Sequence, residues 1–332
     1  MATEFKDSDL RVYLPLGEDW DEDFVDKHGK REKPHGQVKL LWSNLLALAL
    51  VEEQMQKAED SRSIRLVVAG ASPGTHMLVL LEHIRGWRQA RGVQIHLYDP
   101  LPLDAELQAI VDSDESMSFE PKPFTDQHAE KWQKSNEDFC VVFFSDIRSQ
   151  IHSKWQHVHG DEVQIAADMQ AQQTWVKIMQ PEYCMLKFHA PHATKDKKKV
   201  QKSLRYLHGT LYEQAWVGLF SAEYRLFCTK KDMRRDQQYD TKQIERHAFY
   251  HTLITRPKKF SVQGEHSHQE MPYDEAFTAH VAHKAARWLK IDARKLLDDA
   301  RSIGHVAHMH FTWPAAEMSR TQALHVRIQQ IL

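Results

Sequence analysis

The sequence lacks a long hydrophobic run. Its longest apolar stretch, residues 40–51, is interrupted by Ser43 and Asn44 and falls short of the roughly 18 residues that mark a candidate membrane helix, so no membrane span is expected. Residues 1–9 are polar and lack the basic-then-apolar order of a secretory leader, which points to a cytoplasmic protein. Cysteine is scarce: three in 332 residues, Cys140, Cys184 and Cys228. Each sits in an apolar run and no two stand at metal-ligand spacing, which excludes a disulfide framework and a cysteine-based zinc module. Histidine is plentiful, but neither His280 with His283 nor His305 with His308 and His310 has a cysteine or carboxylate partner that completes a recognisable ligand set, so no metal is expected. A charge excess is missing too. The formal net charge is −2, and the total therefore says nothing in favour of nucleic acid.

What is present is better read from distribution. Residues 18–23 are acidic, whereas 195–202, 230–235 and 256–259 are basic; such runs ordinarily form solvated loops, but three of them around one site would suit a phosphate backbone. Residues 1–35 mix glycine, proline and charge without a sustained period and read as an N-terminal arm, with one domain over 36–332. Over 38–57, Leu41, Leu45, Leu48 and Met55 fall near helical spacing. Strand signals at 65–69, 93–98, 139–145, 183–188 and 223–229, with a weaker one at 215–219, then alternate with helical segments at 75–91, 103–112 and 162–179. That alternation predicts an α/β domain around a mostly parallel sheet. Beyond about residue 235 the texture turns to charged helical segments at 242–255, 273–289 and 293–302, with a last helix from Glu317. These predict a helical C-terminal cap packed on the sheet rather than a second domain.

Two short stretches suggest a ligand pocket. Residues 65–76 run from an apolar strand through the turn Gly70-Ala-Ser72-Pro-Gly74 into a helix beginning at Thr75 and His76; glycine lets backbone approach a ligand, and a helix start offers unpaired N–H donors. The spacing is neither the dinucleotide fingerprint nor a P-loop, and a purely structural turn explains it equally well. The next strand ends in Tyr98-Asp99, placing a carboxylate where α/β sheets bind ribose hydroxyls. Asp99 as a turn acceptor remains the plainer alternative.

Four further segments carry charge into apolar surroundings: Gln37-Val-Lys39-Leu-Leu, Ser145-Asp146-Ile-Arg148-Ser, Met185-Leu-Lys187-Phe188 and Ser221-Ala-Glu223-Tyr-Arg225-Leu. Charges at strand ends are costly unless paired, and two lysines with two carboxylates would partly neutralise one another. The order Lys, Asp, Lys, Glu after such a glycine turn resembles the FtsJ-like 2'-O-methyltransferases. Within them, the chain from about residue 36 onward is similar to the poxvirus-type cap-specific mRNA 2'-O-methyltransferases that also serve as poly(A) polymerase regulatory subunits.

That resemblance implies a Rossmann-like methyltransferase sheet, S-adenosylmethionine as cofactor, and Lys39, Asp146, Lys187 and Glu223 as catalytic residues. It implies cofactor contacts from Gln37, Gly70, Ser72, Gly74, His76, Asp99, Phe124 and Thr125, with Leu101 standing where the family carries an arginine. It implies RNA, above all capped mRNA, and a poly(A) polymerase catalytic subunit as partners, and a viral factory or virion as location. Cap recognition departs from the family pattern: His192 stands at an expected phenylalanine, Thr194 at an aspartate and Phe220 at a tyrosine, with Glu245 and Arg148 as further cap or RNA contacts. An imidazole can still stack on a methylated guanine; alternatively a ring from the arm, Tyr13, Trp20 or Phe24, takes that place. In the expected chemistry Lys187 steers and deprotonates the ribose hydroxyl; burial and Lys39 push its pKa down, while Asp146 and Glu223 oppose that shift and hold the lysines in place. Methylation of another RNA, and a non-catalytic RNA-binding role, stay open.

Overall fold

The computed structural model describes residues 3–12, 36–135, 138–148, 162–190, 203–218, 221–262 and 270–308. In chain order the elements are β1 (Thr3–Glu4), α1 (Gly36–Lys57), β2 (Ile64–Ala69), α2 (Thr75–Arg91), β3 (Gln94–Tyr98), α3 (Ala105–Ser113) and β4 (Met117–Glu120). Then follow α4 (Asp126–Gln133), β5 (Cys140–Ser145), α5 (Glu162–Met179), β6 (Tyr183–His189), β7 (Ser203–Leu207), β8 (Thr210–Tyr212) and β9 (Glu223–Thr229). The last are β10 (Asp236–Asp240), α6 (Thr241–Tyr250), β11 (Lys259–Ser261), β12 (Met271–Pro272), α7 (Tyr273–Leu289) and α8 (Ala293–His308).

Seven strands form the central sheet in the order β4-β3-β2-β5-β6-β9-β8. The first five are parallel, β9 runs antiparallel to β6, and β8 antiparallel to β9. β5 is buried along its whole length, as expected of a strand covered on both faces. The period of two sends Val142, Phe144 and Met185 to one core and Val141, Phe143, Cys184 and Leu186 to the other. α1 packs with α2, α7 and α8 on the first face; its residues from Lys39 to Glu52 are all buried, because a helix flanked by helices and sheet has no solvent side. α4 and α5 pack together against the second. This is a three-layer, Rossmann-like α/β fold, with the three cysteines as free buried thiols on β5, β6 and β9.

The C-terminal helices do pack on the sheet side, through α7 and α8 against α1. Part of the stretch read as an arm packs there as well: β1 pairs parallel with β11, and Phe5 and Leu10 are buried beside Phe260 and Tyr273. The weak strand signal at 215–219 is a correction. The strand lies earlier, at β8, whereas Trp216 takes a left-handed φ of 63° and donates its indole N–H to Thr278 on α7 at 3.0 Å; Ala215 and Val217 on either side are buried, which accounts for the apolar signal without a strand. The helix from Glu317 and the basic run at 195–202 lie outside the described residues. Among the described residues no helix is long and apolar enough to cross a membrane.

Candidate active site at the carboxyl edge of the sheet

After β2 the chain builds outward to β3 and β4, then returns to the other side of β2 as β5. Parallel sheets open a crevice at the carboxyl ends of two strands where the order reverses in this way. Gly70 and Asp146 are the residues immediately following those two strands. Asp146 N–H donates to Ala69 O at 2.9 Å, and a Cβ on Gly70, whose φ is +84°, would lie 2.8 Å from the Asp146 carbonyl carbon. The glycine is thus required by backbone against backbone, which brings the turn and the carboxylate to one point.

The four charged residues singled out in the sequence meet beside it. Antiparallel register sets Lys187 of β6 opposite Arg225 of β9, with Glu223 two residues away on the same strand face. Lys39 reaches in from the first turn of α1 and pairs with Glu223 Oε1. Lys187 Nζ stands 3.2 Å from Asp146 Oδ1 and 3.6 Å from Glu223 Oε2. The lysine side chains are 10 % exposed, those of Glu223 and Asp146 16 % and 22 %, so the cluster is largely buried but not sealed from solvent.

Two more cations belong to it. Arg225, buried, places Nη2 2.7 Å from Asp146 Oδ1 and donates Nε to Gln214 Oε1 at 2.7 Å. Arg148 donates to Glu223 Oε2 at 3.3 Å. Gln214 in turn donates to Glu223 O at 2.9 Å, and Gln172 on α5 to Lys187 O at 3.1 Å. Burial lowers the Lys39 pKa; Glu223 pulls it back, and Lys187 and Arg225 add to the fall. Burial alone would raise both carboxyls, but the surrounding cations, Lys187 foremost, hold Asp146 and Glu223 below the ordinary carboxylate range. Four cations face two carboxylates. Asp146 Oδ1 and Arg225 Nη2 are buried yet in no aligned hydrogen bond. Such a centre favours an arriving oxygen that carries negative charge.

Residues 13–283 match the profile of the poly A polymerase regulatory subunit family. The chain belongs to that family. A comparison with curated proteins finds no match.

In this member of the family, the residues expected around a cofactor cluster at the same crevice. Gln37 Oε1 accepts from Thr75 Oγ1 at 3.0 Å, from the His76 backbone N–H at 3.2 Å and lies 2.9 Å from His76 Nδ1; a side chain of α1 therefore caps α2, whose own preceding residue, Gly74, offers none. His76 is buried, also bonds Asn44, and burial pushes it down to about 4, so the ring is neutral. Asp99 accepts from Ser72 N–H at 3.0 Å and Leu101 N–H at 2.8 Å. Ser72 Oγ donates to Pro102 O. Phe124 packs between Tyr98, Phe143 and Trp175, and Thr125 caps α4.

The cap and RNA contacts gather less. Arg148 lies on Glu223, as described, and Glu245 is on α6 beside Ile244, whose carbonyl accepts the Tyr224 hydroxyl. His192, Thr194, Phe220, Tyr13, Trp20 and Phe24 lie outside the described residues. Two of the basic runs are partly paired at home: Lys230 with Glu182 at 2.5 Å, and Arg256 with Asp274. Arg225 and Gln214 were missed as members of the centre. Arg225 had a readable signal, since it sits two residues after Glu223 in a strand, on the same face.

Proposed function

We propose that this chain is an S-adenosylmethionine-dependent RNA ribose 2'-O-methyltransferase acting on the first transcribed nucleotide of capped mRNA. The reading rests on one observation: Lys39, Lys187, Asp146 and Glu223, with Arg225, converge at the switch point beside the Gly70 turn. A structural protein has little reason to bury so many charges, because desolvation offsets much of their mutual attraction. Lys39 is especially unfavourable, being a cation in the first turn of a helix, where the dipole repels it.

The crevice residues fit the cofactor. Each oxygen of Asp99 accepts a single backbone N–H and so keeps a lone pair for a ribose hydroxyl. Gln37 spends its carbonyl on α2 and has its amide N–H left for a carboxylate. When bound, the cofactor supplies an electrophilic methyl on a sulfonium. The chain's own residues must then align a ribose 2'-oxygen and manage its proton. Lys187, fixed between Asp146 and Glu223, orients that hydroxyl and, entering the step as the free amine, takes its proton to become the ammonium ion. Lys39, Arg148 and Arg225 are the three cations that face the two carboxylates beforehand. The excess of cations over carboxylates stabilises the alkoxide character that develops, and Arg225 fixes Asp146 so that Lys187 does not drift.

The test is transfer of labelled methyl from S-adenosylmethionine to a capped, 2'-unmethylated transcript, beside an uncapped control. Label on the first ribose of the capped RNA alone is expected. Equal labelling of both would move the substrate to RNA in general, and no labelling of any RNA would overturn methyl transfer. A second reading has its own support in the family match: an RNA-binding regulatory subunit of a poly(A) polymerase catalytic subunit. It predicts longer tails per binding event when the chain is added to such a polymerase, and both roles can reside in one chain.

A further inference from the structure

We propose that Glu213, His247 and His251 form a binding site for a transition-metal ion of the zinc class, separate from the charged centre and independent of methyl transfer. The sequence reading set metals aside on other histidines; here the third partner lies 34 residues upstream of His247 and is brought in by the fold. One ligand atom from each of the three lies within 4.8 Å of the others. All are more than nine-tenths buried, at 5 %, 7 % and 6 % exposure.

Local structure builds the site. His247 and His251 are four residues apart, which sets two imidazoles on one helix face; their rings are 6.1 Å apart and within 20° of parallel. His251 opens a π-helical turn, His251–Thr255, at the end of α6. Such turns are rare and concentrate at functional sites. His247 Nε2 touches Glu213 Oε1, and His251 Nδ1 stands 3.7 Å from the same oxygen, beyond hydrogen-bond reach. Tetrahedral zinc with bonds of about 2.0–2.2 Å sets its ligand atoms roughly 3.4 Å apart. A slight opening of the first contact and closing of the second completes three ligands, with water as the fourth.

Hydrogen bonding joins His247 to Glu213 but does not reach His251, whereas an ion on the three facing atoms would join all of them. The opposite ring nitrogens, His247 Nδ1 and His251 Nε2, are buried without a hydrogen-bond partner and would stay so. Arg256, the guanidinium that bears on Glu213, is engaged by Asp274 and by Val217 O. Two imidazoles and a carboxylate suit zinc rather than magnesium or calcium, which prefer oxygen alone. Tyr273 sets its ring edge against His251 at 4.5 Å while its hydroxyl donates to Asp9 O, and Glu213 N–H donates to Leu10 O. An ion here would fasten the N-terminal segment, the residue before Gln214, and α6 into one unit.

The experiment is a cobalt(II) titration of the chelator-stripped full chain. Expected are visible ligand-field bands that saturate at one cobalt per chain and vanish on adding zinc, and a Tm several degrees higher with metal than without. His251→Gln, checked for folding by circular dichroism, should lose both the bands and the metal-dependent part of Tm. Absence of bands in the unsubstituted chain, or bands unchanged in His251→Gln, overturns the proposal. The titration of the unsubstituted chain stands even if the variant does not fold.

Discussion

The charged centre and the Gly70 turn sit side by side at one edge of the sheet, yet they satisfy their polar groups in opposite ways. In the turn the bonds that set its shape are all made: each oxygen of Asp99 holds a backbone N–H group, the Gln37 carbonyl caps α2, and Gly70 is fixed by contact with Asp146, so that only spare lone pairs and the Gln37 amide N–H remain for a ligand. In the centre, cations outnumber carboxylates and buried atoms of Asp146 and Arg225 lack aligned partners. The turn is built to hold its shape. The centre keeps electrostatic imbalance that folding alone would remove, and such imbalance concentrates at sites of chemistry.

The sharpest way to break that contrast is Lys187→Ala. It should lower methyl transfer about 10³-fold or more, the scale of losing a positioned acid-base and electrostatic group, while cofactor affinity stays within about twofold on the scale of an untouched pocket. Turnover and equilibrium cofactor binding on the same preparation decide it. A Lys187→Ala protein with near-normal turnover would falsify the assignment of the centre. Glu223→Gln follows with a smaller loss, because the amide oxygen still accepts from one of the two donors, Lys39 on Oε1 or Arg148 on Oε2, and the side chain keeps its place.

On the other side of the comparison, Gly70→Ala should behave as a stability mutant. The added Cβ would face the Asp146 carbonyl carbon at 2.8 Å and the Ile147 nitrogen at 2.9 Å, at a φ of +84°. Strain of this kind costs about 1–3 kcal/mol, read as a lower urea midpoint at unchanged slope. A midpoint equal to that of the unsubstituted chain would mean that β2 and β5 can separate at the switch point, and that the centre is less fixed than argued.

Much of this was legible in the sequence, for identifiable reasons. Strands covered on both faces, β2, β5 and β6, are apolar runs that can hardly be read otherwise, and α2 and α5 end where the periodicity does. β4 and α4, at 117–120 and 126–133, went unread because an edge strand and a short helix bury only alternate residues. Among the described residues β7 and β10 pair with each other, and the few side chains that they bury, Tyr206, Leu207 and Tyr239, stand among too many polar neighbours to give a readable period. In the site, the lysines and carboxylates announced themselves as charges among apolar neighbours. Gln214 is an ordinary polar residue in sequence, and its role exists only through the antiparallel packing of β8 on β9.

Asp99→Asn probes the turn more gently. One oxygen becomes an N–H₂ group that must face a backbone N–H of Ser72 or Leu101, so the turn loosens and one acceptor for a ribose hydroxyl is gone. Cofactor affinity should fall about tenfold, equivalent to about 1.4 kcal/mol, with turnover at saturation little changed. Isothermal titration beside saturation kinetics separates the two; a fall in kcat with unaltered affinity would place Asp99 in the chemistry instead of the pocket.

The smallest effect lies where the two regions touch. His76, which links Gln37 to Asn44, is depressed to about 4, mainly by burial, with Asp146 pulling it up and Arg225 down. Between its ordinary value near 6.5 and 4, the unfolded chain binds a proton there that the folded chain refuses. Stability is therefore present in full above that window and falls as pH falls through it, by about 1 kcal/mol at pH 5.5. Urea unfolding at pH 7.5 and 5.5 should show this loss in the unsubstituted chain and a smaller loss in His76→Gln. Equal losses in the two proteins would mean that His76 can be protonated in place, and with it that the α2 cap is open to water.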